Sequence, residues 1–206
     1  MRVGVFGGTF DPPHIGHMEI AGQILKSGLV DKVLFVPAFT PPHKTDKPVT
    51  DAMHRLAMLR LALKKYPSFD ISEIEYVRKK SPSYTFDTMV ELEKLMPDDQ
   101  LLLLIGSDSL RQLHTWNSPQ ELVRKWEIIV YPRNGEMPSL EELKGFWPED
   151  TAGTLLKNII KMPFIEISST EIRKTIANNG NVDTLIDPAV SGYINLHGLY
   201  RQRQSN

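Results

Sequence analysis

Residues 5–17 read V-F-G-G-T-F-D-P-P-H-I-G-H. A short apolar run ends in two glycines, and a helix then opens beside two histidines. A buried strand, a tight turn and a helix in this order commit the chain to an α/β arrangement. They also aim backbone N–H groups and imidazoles at one place, which is how a fold receives a phosphate chain. Gly7 and Gly8 let the chain turn sharply and let a ligand approach the backbone. Thr9 and Phe10 offer main-chain amides, Gly16 lies between the histidines, and His14 and His17 stand three apart near the positive end of a helix dipole. A lone histidine more often caps or packs, but this joint arrangement favours a ligand. A metal centre on the pair lacks a third ligand nearby in sequence.

The same strand-to-helix rhythm continues along the chain. Strand-like runs fall at residues 2–6, 32–36, 69–75, 101–105, 128–131 and 164–167, and helical patterns at 17–27, 51–65, 85–96, 119–125 and 169–178. Residues 101–105, LLLLI, read as a strand buried on both faces. Gly28 and Gly180 sit where glycines end helices, Ser168 with Glu171 suits a capping box, and Asp187-Pro188 opens a last short helix. The alternation predicts a Rossmann-like, doubly wound parallel sheet with helices on both faces, as one domain over residues 1–200 and a polar tail over 201–206. With strand order 3-2-1-4-5-6, the loop at 7–17 and the loop Gly106-Ser107-Asp108 face each other where the order reverses, the usual ligand crevice. Residues 37–49, with four prolines, read as a loop over the sheet edge; residues 135–162, polar and weakly periodic, read as the place for length variation or disorder.

Composition narrows the partners. The net charge of −1 gives no global basic excess, so nucleic acid is not expected and an anionic ligand needs a local cluster of donors. With no cysteine, disulfides and thiolate chemistry are excluded, which fits a cytoplasmic location. No signal peptide or long apolar run is evident, so no membrane partner is expected. A homo-oligomer stays open.

A second segment has the same chemical character. Residues 167–173 read I-S-S-T-E-I-R: a strand end, then a helix start carrying Ser168, Ser169 and Thr170 with Arg173 in the first turn. Free N–H groups, hydroxyls and a guanidinium can all meet phosphate oxygens. An ordinary capped helix explains this segment equally well when it is taken alone.

Together, GGTFDPPHIGH and ISSTEIR closely resemble the two signatures of the nucleotidylyltransferases that carry the HxGH motif. That resemblance implies a nucleoside triphosphate cut between its α and β phosphates, with Ser169, Thr170 and Arg173 holding the triphosphate. Three further segments, PPHK at 41–44, SYTFDT at 83–88, and GSD at 106–108 followed by Trp116, look like those of the bacterial nicotinate-nucleotide adenylyltransferases. The likeness runs to about Tyr200 and is weakest over 135–162. It implies adenylyl transfer from ATP to nicotinate mononucleotide, with Mg²⁺ accompanying ATP through the phosphate oxygens. His14, His17, Lys44 and Arg173 would spread phosphate charge. Thr85 would read the nicotinate carboxylate with Tyr84 beside it in the mononucleotide site, Trp116 would stack on the pyridine, and Asp108 would accept from ribose hydroxyls where Gly106 allows close approach. Asn117, where many members have tyrosine, and the RKKSP stretch before SYT depart from the pattern.

The remaining marked residues read as structural. Met53, Met58 and Met89 fall at helical spacing and are expected in the core; Arg78-Lys79-Lys80 is expected in solvent; Trp126 and Trp147 carry no functional signal. Rival functions are the same chemistry on nicotinamide mononucleotide or phosphopantetheine, a cytidylyl transfer, and an ATP-sensing module without turnover. A dinucleotide-binding oxidoreductase lacks support, because the first turn does not read G-x-G-x-x-G.

Overall fold

The computed structural model describes residues 1–41, 49–133 and 137–201. In chain order the elements are β1 (Arg2–Gly8), α1 (Ile15–Lys26), β2 (Lys32–Pro37), α2 (Ala52–Leu63), β3 (Phe69–Ile71), α3 (Ile74–Arg78), α4 (Thr85–Leu95), β4 (Gln100–Gly106), α5 (Ser107–Gln112), α6 (Pro119–Lys125), β5 (Glu127–Tyr131), α7 (Leu140–Lys144), α8 (Glu149–Lys157), α9 (Ser169–Ala177) and α10 (Pro188–His197). The five strands form one sheet in the order β3-β2-β1-β4-β5, and every pair is parallel. Val5 is in register with Leu34 on one side and Leu103 on the other.

The period of two along each strand decides which helix covers which face. Phe6, Phe35, Leu102, Leu104 and Ile129 point to one layer, where α1, α2, α9 and α10 supply Ile24, Met58, Ile172 and Val190. Val5, Leu34, Leu101, Leu103 and Ile105 point to the other, met by Met89, Leu110, Leu122 and Leu155 from α4, α5, α6 and α8. The unbroken apolar run of β4 is thus a strand with two dry faces, as expected.

Several expectations need correction. Residues 164–167 do not form a strand. The free edge of β5 is taken instead by residues 158–160, where Val130 N–H donates to the Asn158 carbonyl at 3.0 Å and Ile160 N–H to the Val130 carbonyl at 2.9 Å. Ile165 and Ile167 pack on the α1 layer, and a Cβ on Gly16 would lie 3.1 Å from each of them. The third strand stops at Ile71, because the chain turns into α3. The described part of 135–162 carries α7 and α8, anchored by buried Leu143, Trp147, Ala152 and Leu155. Asn179, not Gly180, adopts the left-handed conformation after α9, whereas Gly28 does so after α1 as expected. Ser168 caps α9 by accepting from Thr170 N–H at 3.2 Å, while Glu171 turns outward to Lys174. Met58 and Met89 are core residues, but Met53 is exposed. Arg78 is not solvated: its guanidinium donates to Thr88 Oγ1 at 3.0 Å and pairs with Glu91.

Candidate active site at the sheet switch point

A cleft of about 420 Å³ opens beyond the C-terminal ends of β1 and β4. This is where the order β2-β1-β4 reverses direction along the chain, the place where doubly wound sheets take ligands. Gly7, Gly8, Thr9 and Phe10 line it from β1, Gly106 and Asp108 from β4 and α5, and Ser168, Ser169 and Thr170 from the start of α9. Thr85 and Trp116 line the opposite end. Of the residues marked in the sequence, His14, Gly16, Tyr84 and Arg173 stand behind the lining, and Lys44 lies outside the described residues.

The first loop is compact because its own side chains fold back under it. Phe10 is buried with φ +50°, and its ring packs edge-on to Phe6 and His17. A Cβ on Gly8 would lie 2.8 Å from that ring, so Gly8 is required by close approach. Gly106 is similarly constrained, since a Cβ there would overlap Asp108 and crowd Arg133.

The two histidines differ. His17 faces the cleft, and its Nδ1 accepts the His14 backbone N–H at 3.1 Å. That bond leaves the ring proton on Nε2, as a donor on the far side of the imidazole. His14 stacks on His17 with ring centres 3.6 Å apart and is only 4% exposed. Burial, and then the Arg133 cation, push its pKa down to about 3. It is therefore neutral near pH 7, able to hydrogen-bond a ligand but not to offer it charge. Both its ring nitrogens are buried with no hydrogen-bond partner among the described residues. Such an uncompensated group is uncommon and marks a place where a ligand or water completes the bonding.

Around this loop is a set of clamps that the motifs alone did not reveal. Arg55 is 1% exposed, in the first turn of α2. Its guanidinium donates to the carbonyls of Thr50 (2.9 Å), Thr9 (2.9 Å), Ala38 (2.7 Å) and Phe39 (3.0 Å). Asp11 is 2% exposed; its carboxylate accepts the Tyr200 hydroxyl at 2.6 Å and Thr50 N–H at 3.3 Å. Arg173 donates to the Asp11 carbonyl at 2.6 Å, and Ser169 Oγ to the Pro12 carbonyl at 2.9 Å. The two segments singled out in the sequence are therefore bonded to each other across the chain.

At the other end, Glu75 is buried and accepts Phe39 N–H at 3.0 Å and the Thr88 hydroxyl at 2.7 Å. Ser83 and Thr40 exchange two hydrogen bonds, at 3.0 and 3.2 Å. These hold the start of α4, where Thr85 is the first helical residue, not the cap. Arg133 lines the cleft beside Asp108, 3.9 Å from its carboxylate, and its backbone is tied to Ser107 Oγ. Asp108 lies in the first turn of α5, whose cap is Gly106.

Residues 5–175 match the family model described as cytidylyltransferase-like. The chain belongs to the cytidylyltransferase-like family. Within reach of this cytidylyltransferase-like chain are curated relatives of nearly equal length. It is 36% identical over 206 residues to the probable nicotinate-nucleotide adenylyltransferase of Caldicellulosiruptor bescii, covering 98% of this chain and 100% of the relative. It is 37% identical over 199 residues to the nicotinate-nucleotide adenylyltransferase of Bacillus subtilis, covering 97% of this chain and 98% of the relative. Its fold is that of the Plasmodium falciparum nicotinic acid mononucleotide adenylyltransferase complexed with NaAD, at TM-score 0.75, 21% identity and 97% coverage of each chain.

Signals for the missed residues existed. Arg55 is a single charge on the apolar face of α2, in line with Leu59 and Ala62. Arg133 follows directly after the C-terminal end of β5, on the ligand side of the sheet. Asp11 stands inside the first motif, and Glu75 and Tyr200 gave no local signal.

Proposed function

We propose that the protein transfers the adenylyl group of ATP to nicotinate mononucleotide, releasing pyrophosphate and forming nicotinate adenine dinucleotide for NAD biosynthesis. The observation that carries this reading is convergence. Three segments far apart in sequence, at residues 7–17, 83–88 and 168–173, meet at one cleft. The names and full-length coverage of the relatives support the choice of acceptor.

In this reading the mononucleotide 5′-phosphate attacks the α-phosphorus of ATP in line. The P–O bond to the β-phosphate breaks, and its electron pair leaves with pyrophosphate. The nucleophile is already an anion, so no general base is needed and the protein works by positioning and charge stabilisation. The Nε2–H of His17 would donate to a phosphate oxygen whose charge grows in the transition state. His14, neutral and unpartnered, would gain the bond it lacks. Backbone amides of residues 8–10, and the hydroxyls and free N–H groups of Ser168, Ser169 and Thr170, would hold the triphosphate, with Arg173 and Lys44 adding positive charge. Asp108 and Gly106 would meet ribose, while Thr85 and Tyr84 would face the nicotinate carboxylate and Trp116 the pyridine face.

A divalent metal, Mg²⁺ in this reading, would enter with ATP. Its ligands would be mainly phosphate oxygens and water. Among the described residues no helix is long and apolar enough to cross a membrane. A cytoplasmic enzyme acting on small molecules fits this chemistry.

The test is pyrophosphate release from ATP and Mg²⁺ with nicotinate mononucleotide, nicotinamide mononucleotide or phosphopantetheine as acceptor, beside a no-acceptor control. Fast release with the nicotinate form alone is expected. Equal release with the amide form removes the carboxylate-reading role. ATP binding without release in any arm turns the reading to a nucleotide-sensing module.

A further inference from the structure

We infer that Tyr200 is a positioning residue for the triphosphate end of the site, acting through Asp11; this rests on the proposed role of residues 8–17 and Arg173. The sequence resemblance reaches Tyr200 without giving it a role. In the fold, the residues after α10 run back beneath the loop that opens the site. The Tyr200 hydroxyl donates to Asp11 Oδ1 at 2.6 Å and lies 3.9 Å from Met58 Sδ. Asp11 Oδ2 accepts Thr50 N–H, so the carboxylate is held between the C-terminal segment and the start of α2. The carbonyl of the same residue accepts Arg173 Nη1 at 2.6 Å. One buried residue therefore joins Tyr200 to the guanidinium that is to face the phosphates.

The chemistry favours a directed link over plain packing. Asp11 is 2% exposed, and a buried carboxylate must have its donors supplied or be displaced. Its carboxylate accepts from the Tyr200 hydroxyl and the Thr50 backbone N–H. The phenol stays protonated, because burial and then the adjacent carboxylate push its pKa above the usual range. Removing the hydroxyl leaves one lone-pair direction of Asp11 empty in a dry place. The carboxylate then turns or draws in water, and the Asp11 carbonyl moves with it. Arg55 holds Thr9 on the near side and Ser169 holds Pro12 on the far side, so the shift concentrates at Asp11 and its Arg173 contact. The part of the site that faces the mononucleotide, at Thr85 and Trp116, shares none of these bonds.

The experiment compares Tyr200→Phe, Asp11→Asn and the double variant in steady-state adenylyl transfer, well below each variant's Tm. Tyr200→Phe is expected to raise KM for ATP about tenfold while KM for the mononucleotide stays within twofold. Asp11→Asn is expected to act in the same direction, and the double variant to be no worse than the poorer single, because both remove one link. A lowered Tm with unchanged KM for ATP makes Tyr200 merely structural and overturns the inference. So do multiplying effects in the double variant, or equal rises in both KM values. If Tyr200→Phe does not fold, Asp11→Asn alone must raise KM for ATP selectively, and failure to do so overturns it. Absence of ATP turnover in the unaltered protein would be a failure of the proposed function instead.

Discussion

At the β1 end of the cleft, the lining is made of main chain, short hydroxyls and the His17 ring, and long buried side chains hold them from behind. Arg55 grips four carbonyls and Asp11 is gripped by Tyr200 and Thr50. At the α4 end, the facing groups are themselves half-buried side chains, Thr85 and Trp116, set on short elements. The hydrogen bonds behind this end, Glu75 with Thr88 and Ser83 with Thr40, fix the start of α4. In the proposed reading the shared chemistry rests on main-chain groups together with His17 and Arg173, and the choice of acceptor on side chains alone. Single substitutions can therefore alter the second without disturbing the first.

That contrast can be broken most directly at Arg55. Arg55→Leu keeps bulk on the apolar face of α2 but strands the carbonyls of Thr9, Ala38, Phe39 and Thr50. A loss of about 4–5 kcal/mol in urea unfolding is expected; a loss under about 1 kcal/mol would mean that water replaces the guanidinium and the loop is not clamped. His17→Ala should leave the unfolding midpoint near that of the parent and lower kcat by about 10²–10³-fold. Near-normal turnover would remove His17 from the machinery.

The pH dependence of stability probes His14. Its folded pKa of about 3 lies below the unfolded value, so the unfolded chain binds the proton first. The contribution from its neutral burial is full above about pH 6.5 and is lost as pH falls toward 3. His14→Asn, which keeps a good cap for α1, should flatten that decline by about 2–4 kcal/mol across the window. An unchanged acid limb would assign the decline to carboxylates. The smallest effect belongs to the other end: Trp116→Ala should raise KM for the mononucleotide about three- to tenfold, the worth of one aromatic face. Its KM for ATP should be unchanged, and a matching rise there would erase the division between the two ends.

What could be read in the sequence was whatever repeats locally. β4 declares itself by five apolar residues in a row, and the cleft by two glycine- and hydroxyl-rich segments that a doubly wound order brings together, although Gly7 and Gly8 end β1 as strand residues and do not form the expected turn. The sixth strand misled because residues 164–167 look like a strand, yet pairing is decided by which segment reaches the edge of β5 first, and residues 158–160 do. Met53 shares its helix with Met58 but lies on the other face, and spacing counted among methionines alone does not define a face. Glu75 and Tyr200 were illegible for one reason. Their partners are backbone groups or side chains distant in sequence, and hydrogen bonds of that kind leave no periodic trace.

The tie between Tyr200 and Asp11 spans 189 positions. A chain made from its first residue onward therefore completes β1 and its glycines early, but the carboxylate beside them lacks its Tyr200 donor until the segment after α10 has been synthesised. The loop that begins the molecule is finished by the segment that follows α10. Chains stopped short of Tyr200 lack that donor, so the first loop gains its last hydrogen bond only when the opposite end of the chain is in place.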